Sequence, residues 1–192
     1  FPLKSNNYVV EELIDWNRVP YDPLFVLTFP QKEMLRFYHF QQMANILRKG
    51  ATKQEIQNVS NSIRMELNPH PAGQMEQNVP SMNGEKLSGV QHKYSETVLF
   101  FPCQGQTCHA YCSFCFRWPQ FVWSNGLKFA EKETGHLIQY IHSHPEITDL
   151  LITGGDPLFM NTRNLGGYIR TVLEAAPPNL NTIRIGTKVL GY

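Results

Sequence analysis

The sequence predicts an α/β protein in which a small helical region precedes a parallel β-sheet. Apolar segments in the later half of the chain alternate as strand, helix, strand, helix and strand. This order is typical of right-handed βαβ units that build a parallel sheet. Residues 165–176 carry the clearest helical period in the chain. Two loops with chemistry-bearing residues follow the first two predicted strands, where parallel sheets hold their ligand loops.

Composition bounds the class of protein. The chain has 192 residues, of which 42% are hydrophobic and 17% charged, so it can bury a substantial core in one or two domains. Its formal net charge is +1, and it contains no block of like charges. We therefore expect no nucleic-acid partner. No apolar run approaches the roughly 20 residues of a membrane helix, so we expect no membrane partner either.

Residues 1–67 are predicted to form a helical N-terminal region. Residues 8–16 favour a short helix, and residues 33–49 carry Met and aromatic residues at helical spacing, which we interpret as core packing. Gly50 suits the left-handed cap that ends such a helix. A T-x-x-E capping box begins at Thr52 and predicts a second amphipathic helix.

A connector and a strand are predicted next. Residues 68–92 are rich in Pro, Gly, Asn, Gln and Ser, so we interpret them as a connector between the helical region and the region 93–192. The continuous apolar run within residues 94–102 predicts a strand that is covered on both faces. Residues 130–142 predict a helix, and residues 149–153 predict a second strand.

The predicted elements end with a helix over residues 165–176, stopped by Pro177-Pro178, and a third strand over residues 182–186. Three parallel strands cannot close a barrel, since an eight-unit barrel takes about 250 residues. We therefore expect the chain to be part of a longer protein, or a partner to supply the rest of the sheet. A small open sheet that is complete in itself is the alternative.

Three cysteines follow the first predicted strand with the spacing C-x3-C-x2-C. Cys108, Cys112 and Cys115 can turn soft thiolates toward a common centre, and such ligands select zinc, copper(I) or iron–sulfur clusters. Three thiolates on a four-iron cluster leave one iron open for a reaction. A structural zinc or an electron-transfer cluster with Cys103 as a fourth ligand is the alternative.

The second predicted strand runs into the turn Gly154-Gly155-Asp156-Pro157-Leu158. By itself this sequence is typical of a tight strand-to-helix turn. Its position one βα unit after the cysteine motif favours a ligand-binding role.

Together these motifs resemble those of the radical S-adenosylmethionine enzymes, and in particular the lysine 2,3-aminomutase group. The further matching motifs are Phe114 before the third cysteine, NPHP at 68–71, HKY at 92–94, Cys-Phe-Arg at 115–117 and IRIGT at 183–187. The resemblance implies a three-quarter TIM-like barrel, of which this chain would hold the first three units. It also implies a [4Fe–4S] cluster whose open iron binds S-adenosylmethionine and cleaves it reductively to a 5′-deoxyadenosyl radical.

The resemblance assigns roles to particular residues. Cys108, Cys112 and Cys115 would hold the cluster, while Phe114, Gly154, Gly155 and Asp156 would contact S-adenosylmethionine. Arg117 would lie beside the adenosyl group and the substrate carboxylate, for which its forked cation is suited. Lys93 and Tyr94 correspond to a stretch that binds pyridoxal phosphate in the family. The chain has Thr97 where the family has a second arginine there.

Three functions remain open from the sequence. The first is a pyridoxal-phosphate-dependent 2,3-aminomutase acting on an amino acid such as lysine. The second is a radical S-adenosylmethionine enzyme without pyridoxal phosphate, and the third is a structural zinc or electron-transfer protein. The two enzyme functions imply a small amino-acid substrate and a reductant protein of the flavodoxin or ferredoxin type. They are also compatible with a homo-oligomer. Reduced thiolates favour the cytoplasm.

Overall fold

A computed structural model describes residues 2–67, 76–122, 130–132 and 134–191. The chain divides into two compact units. Among the described residues, the first unit contains residues 2–67 together with 110–116, and the second contains the others. The NPHP motif at residues 68–71 lies outside the described residues.

The first unit is helical, as predicted, with short turns before its main helices. The helices are α1 (Pro23–Thr28), α2 (Phe37–Arg48) and α3 (Lys53–Leu67). Asp22 caps α1, because its Oδ1 accepts the Phe25 N–H at 2.9 Å. The short helix predicted for residues 8–16 is a π-helical turn over Val9–Leu13, followed by a 3₁₀ turn over Trp16–Arg18.

Helix α2 begins later than the sequence predicts, because Leu35 and Arg36 have extended backbone. Its predicted core stripe is wrong in part, since Phe37 is 75% exposed. The buried link between α2 and α3 is instead His39, whose Nε2 lies 3.0 Å from the carboxylate of Glu66. The sequence analysis considered apolar residues at helical spacing, and histidine is polar. The contact of His39 was therefore not predicted.

The turn between α2 and α3 is confirmed. Gly50 has a φ of +69°, in the left-handed region that glycine adopts without steric cost. In the capping box, the Thr52 N–H donates to Glu55 Oε2 at 2.7 Å and the Glu55 N–H donates to Thr52 Oγ1 at 3.3 Å.

The second unit contains a four-stranded sheet with the order β3-β4-β5-β6. The strands are β3 (Val90–His92), β4 (Thr97–Phe100), β5 (Asp149–Ile152) and β6 (Thr182–Ile185). β4, β5 and β6 are parallel, which confirms the predicted α/β arrangement with a parallel sheet. β3 is antiparallel to β4 and was not predicted.

The predicted connector therefore contributes strands to this unit. Besides β3, it contains the hairpin of β1 (Ser81–Met82) and β2 (Glu85–Lys86). Asn83 and Gly84 turn the hairpin with φ values of +53° and +83°. Strands of two or three residues are too short to show an alternating pattern, which is why composition alone suggested a connector.

The helices of this unit are α4 (Pro119–Val122), α5 (Gly135–Ser143) and α6 (Thr162–Ala175), so α5 begins five residues later than predicted. α5 and α6 contribute side chains to the core. The buried side chains include Val98, Phe100, Leu150 and Ile152 from the strands and Leu137, Ile141, Tyr168 and Val172 from the helices. The alternation of strands and helices fits a partial barrel. Among the described residues, no helix is both long and apolar enough to cross a membrane.

Candidate metal centre

The chain between β4 and Cys108 forms a compact turn in the second unit. Cys103–Gly105 is a 3₁₀ turn, and the Gln106 side-chain amide donates from Nε2 to the Pro102 carbonyl at 2.9 Å. Cys108 follows two residues later and is partly buried. This turn sets the direction in which the chain leaves the strand toward the first predicted cluster ligand.

Cys112 and Cys115 belong to the first unit, where their backbone is well anchored. The Tyr111 N–H donates to the Lys4 carbonyl at 2.8 Å, and the Ser113 N–H donates to the Leu27 carbonyl at 2.7 Å. The Cys115 N–H donates to the Cys112 carbonyl at 3.0 Å, so a tight turn separates these two cysteines. Phe114 within it is 70% exposed.

The chemistry of this donor set fits an iron–sulfur cluster. Cys103, Cys108, Cys112 and Cys115 are all partly buried thiols, and thiolates are the ligands of such clusters. Within the part of the chain that the structure describes, no three His, Cys, Asp or Glu side chains form a group that could hold a metal ion. The assignment of three ligands therefore stays a prediction from their spacing.

The glycine turn after β5 packs against the turn after β4. Gly154 has a φ of +143°, a conformation that disfavours any side chain. A Cβ on Gly154 would lie 2.3 Å from Gln106 Nε2, and a Cβ on Gly155 would lie 2.3 Å from the Thr107 carbonyl oxygen. Gly155 is thus required by packing against backbone, and Gly154 is required by its backbone conformation.

Asp156, predicted to contact S-adenosylmethionine, is 4% exposed and is held by protein donors. Its Oδ1 accepts the Leu158 N–H at 2.9 Å and the Thr187 hydroxyl at 2.7 Å. Its Oδ2 lies 2.9 Å from the same hydroxyl and accepts the Lys188 N–H at 2.9 Å. In this structure the carboxylate joins the loops that follow β5 and β6.

Arg117, the predicted catalytic residue, lies against the first parallel strand. Its guanidinium carbon is 4.4 Å from the centre of the buried Phe101 ring, and its Nη2 donates to Gln91 Oε1 at 3.3 Å. Stacking on an aromatic face fixes the plane of the guanidinium group. The side chain is therefore oriented rather than extended into solvent.

Lys93 and Tyr94 are not brought to the glycine turn. Both are exposed, and they directly precede the amino end of β4, whereas Gly154 follows the carboxyl end of the neighbouring β5. The Lys93 ammonium lies 5.5 Å from the centre of the Tyr94 ring. Thr97, at the start of β4, donates its hydroxyl to Asp149 Oδ2 at 2.8 Å. The two groups of predicted cofactor residues thus occupy opposite edges of the sheet.

Sequence reasoning missed Gln106, Thr187 and Tyr168 as residues that organise this edge. Tyr168 donates its hydroxyl to Gln104 and so ties α6 to the turn after β4. Burial, with a further contribution from Cys103, raises the pKa of Tyr168, so it stays protonated as a donor. The polar stretch QGQT at residues 104–107 and Thr187 of IRIGT can be read from the sequence. Their partners could not be predicted, because no local pattern in one sequence pairs residues so far apart.

Comparison with known proteins shows what this part of the chain is similar to. Residues 95–188 match the family described as a 4Fe-4S single cluster domain. This stretch starts just before β4 and includes the cysteine motif, the glycine turn and Thr187. The match agrees with the radical S-adenosylmethionine class that the motifs indicated.

Individual relatives show a more specific similarity. The chain is 39% identical over 102 residues to the L-lysine 2,3-aminomutase of Bacillus subtilis, which is 53% of this chain and 21% of that protein. It is 37% identical over 105 residues to a provisionally named L-lysine 2,3-aminomutase of Aquifex aeolicus, which is 55% of this chain and 26% of that protein. The Acetoanaerobium sticklandii L-lysine 2,3-aminomutase is 26% identical over 141 residues, 70% of this chain and 33% of that protein.

Over about half of its own length, the chain is therefore similar to L-lysine 2,3-aminomutases. Its matched stretch spans between about a fifth and a third of the length of these relatives.

Proposed function

We propose that this protein is a radical S-adenosylmethionine enzyme that works at a [4Fe–4S] cluster held by Cys108, Cys112 and Cys115. The observation that carries the proposal is the order of two motifs on one sheet. The cysteine motif follows β4, and the glycine turn follows the adjacent parallel strand β5. Ligand loops collect at this edge in parallel sheets. The likeness to L-lysine 2,3-aminomutases supports the same conclusion.

When bound, the cluster would supply a low-potential electron for cleavage of S-adenosylmethionine to a 5′-deoxyadenosyl radical. The chain's own residues would bind S-adenosylmethionine and the substrate and orient them. Backbone groups of Gly154 and Gly155 suit a polar ligand at close range, because a Cβ would hold it away. Arg117, with its plane fixed by Phe101, suits a carboxylate.

The reaction we favour is a 2,3-migration of an amino group on an amino acid such as lysine, with pyridoxal phosphate as a second cofactor. The names of the relatives support this reaction. By the resemblance, Lys93 and Tyr94 are the residues of this chain that would contact pyridoxal phosphate, although they lie at the opposite edge of the sheet from the glycine turn. A flavodoxin- or ferredoxin-type protein would supply the electron, and a reducing cytoplasm would suit the thiolates.

The test of this function uses the full-length protein, reconstituted anaerobically with iron and sulfide. Dithionite and S-adenosylmethionine are added, and 5′-deoxyadenosine is measured. Alanine at Cys108, Cys112 or Cys115 should abolish its formation, because each change removes a cluster ligand. Alanine at Cys103 is the matched control and should leave it intact. An intact cluster that yields no 5′-deoxyadenosine would reject the proposal in favour of an electron-transfer or structural site.

A second candidate is an enzyme of the same class that does not use pyridoxal phosphate. The observation in its favour is Thr97, which stands in place of a basic residue and whose hydroxyl donates to Asp149. Pyridoxal phosphate absorbance separates the two candidates. If 5′-deoxyadenosine forms and pyridoxal phosphate binds with a spectral shift, the aminomutase function holds and a screen of amino-acid substrates follows. If 5′-deoxyadenosine forms and pyridoxal phosphate never binds, the second candidate holds.

A further inference from the structure

The segment that leads to Cys108 is held by the glycine turn. The Gly155 N–H donates to the Gly105 carbonyl at 3.1 Å, and the Asp156 N–H donates to the Thr107 carbonyl at 2.7 Å. These two bonds fix the residues on either side of Gln106. The backbone that immediately precedes Cys108 is therefore positioned from the end of β5, a strand more than forty residues further along the chain.

The glycine turn is itself held by the loop after β6. The Asp156 carboxylate accepts the Thr187 hydroxyl and the Lys188 N–H, as well as the Leu158 N–H within its own turn. Thr187 Oγ1 in turn accepts the Val189 N–H at 3.1 Å, which leaves the hydroxyl proton directed at Asp156. Three successive loops at the carboxyl edge thus form one connected set of contacts.

We propose that Asp156 is a positioning residue that fixes the lead-in to Cys108 through a clamp of three segments, residues 105–107, 154–156 and 187–188. The proposal deepens the proposed function, on which it rests in treating Cys108 as a cluster ligand. The clamp itself consists of protein contacts alone. It gives Asp156 a role that differs from direct contact with S-adenosylmethionine.

The clamp requires a carboxylate in particular. Each oxygen of Asp156 accepts one backbone N–H, from Leu158 on one side and Lys188 on the other. An asparagine would turn its NH₂ group toward one of these donors, and that hydrogen bond would be lost. A buried N–H left without an acceptor is costly, so the amide should loosen the clamp even though its shape is nearly the same.

The first experiment uses the apo protein and needs no cluster. Amide hydrogen exchange of peptides covering residues 105–108 is measured in Asp156→Asn, Thr187→Val and Thr187→Ser. Exchange should become about tenfold faster in the first two variants, because each loses a hydrogen bond to a buried carboxylate. Thr187→Ser keeps the hydroxyl and should exchange like the parent. Thr187→Val removes the donor to Asp156 and the acceptor of the Val189 N–H but keeps the side-chain shape, so it tests the clamp even if Asp156→Asn does not fold.

The matched control is Asp149→Asn at the opposite end of β5. Asp149 also accepts hydrogen bonds from side chains, of Thr97 and Arg184, but lies at the amino end of the strand. This variant should leave exchange of residues 105–108 unchanged. Equal exchange in Asp156→Asn, Thr187→Val and the parent would overturn the clamp. Faster exchange in Asp149→Asn to the same extent would also overturn it, because the effect would then reflect general loosening of the sheet.

The second experiment uses reconstituted protein and separates the clamp from the proposed function. The spectrum of the reduced cluster is recorded by electron paramagnetic resonance as S-adenosylmethionine is added. In Thr187→Val, iron content should match the parent, while the concentration needed for the spectral change should rise about tenfold. Thr187→Ser should restore the parental value. If the parent forms no cluster but the exchange results hold, the proposed function fails and the clamp stands. An unchanged titration in Thr187→Val would overturn the positioning role.

Discussion

An aspartate near each end of β5 accepts hydrogen bonds from neighbouring segments, but the two sets of contacts differ. At the amino end, Asp149 accepts the Thr97 hydroxyl from β4 and the Arg184 guanidinium from β6. This contact is made of side chains, and Arg184 is 53% exposed. Beyond the carboxyl end, Asp156 is buried, and backbone groups of three loops meet around it.

The difference between the contacts of Asp149 and Asp156 indicates where the sheet tolerates substitutions. Exposed ion pairs contribute little to stability, because water and salt screen them. Buried backbone contacts have no such alternative partners, so each loss is costly. The exposed ion pair at the amino end can therefore vary with small effects, whereas the carboxyl end, where the cysteine motif begins, should be sensitive to a single methyl group.

The largest expected effect is that of Gly155→Ala. The new Cβ would lie within 2.6 Å of three backbone atoms of Thr107, which cannot move aside as a side chain end could. We expect the free energy of unfolding to fall by about 3 kcal/mol, as for overpacked cores, and formation of 5′-deoxyadenosine to be lost. Urea unfolding of the apo protein and the activity assay measure the two effects.

Gly166→Ala is the matched control for that change. Gly166 lies within α6, and a Cβ there would meet nothing within 4 Å. Alanine is the better helix former, so this variant should be more stable by about 0.5–1 kcal/mol. Similar destabilisation by both substitutions would show that the close approach to Thr107 is not the cause.

A smaller effect is expected at the amino end from Asn179→Ala. The Asn179 Nδ2 lies 3.1, 3.0 and 2.7 Å from the carbonyl oxygens of Ile141, His144 and Ile147, which share its two N–H donors. These bonds hold the end of α5 near the start of β5. Their removal leaves carbonyls without this donor, so unfolding should become easier by about 2 kcal/mol, with cluster assembly unaffected.

Thermal unfolding and iron content after reconstitution measure the two expectations for Asn179→Ala. Asn179→Asp is a useful companion, because it keeps the shape but replaces the donor with an acceptor. Loss of the cluster in either variant would contradict the separation between the two ends of the sheet.

The same comparison explains how much the sequence could predict. β4 and β5 contain apolar runs that mark buried strands, and α6 was predicted from its period. β6 was also predicted, although its sequence TIRI is not a continuous apolar run and is mostly exposed. The cysteine motif and the glycine turn were visible because their residues are adjacent in sequence. The contacts between Asp156 and Thr187, and between Asp149 and Arg184, join residues more than thirty positions apart. Such pairs depend on which strands are neighbours and in what register, and a single sequence does not encode this as a local pattern.

β3 was missed for a related reason. Its three residues are bounded by glycine and polar residues, so neither length nor period marks it as a strand. It forms because β4 has an edge whose backbone groups need partners, and residues 90–92 provide them with good register. The late start of α2 was missed for a similar reason. The backbone at Arg36 is extended, and a helical pattern of apolar residues does not predict this.

The smallest expected effect is that of Asp149→Asn, and it should depend on pH. The hydrogen bond from Arg184, with a further one from Thr97, lowers the pKa of Asp149 below its ordinary value of 3.8. At pH values between the folded and the unfolded pKa of Asp149, the folded protein therefore binds fewer protons than the unfolded chain. The stabilisation is present in full above the unfolded value and is lost as the pH falls through the lower, folded value.

Near neutral pH, Asp149→Asn should reduce the free energy of unfolding by about 0.5–1 kcal/mol, as expected for a partly screened pair. Below about pH 3.5 the difference from the parent should shrink, because the parental carboxyl is then increasingly protonated as well. Urea unfolding at both pH values measures this, and added salt should reduce the difference at neutral pH. A difference that stays the same at low pH would show that the variant acts through packing. The amino end would then resemble the carboxyl end, where contacts and not charge hold the loops in place.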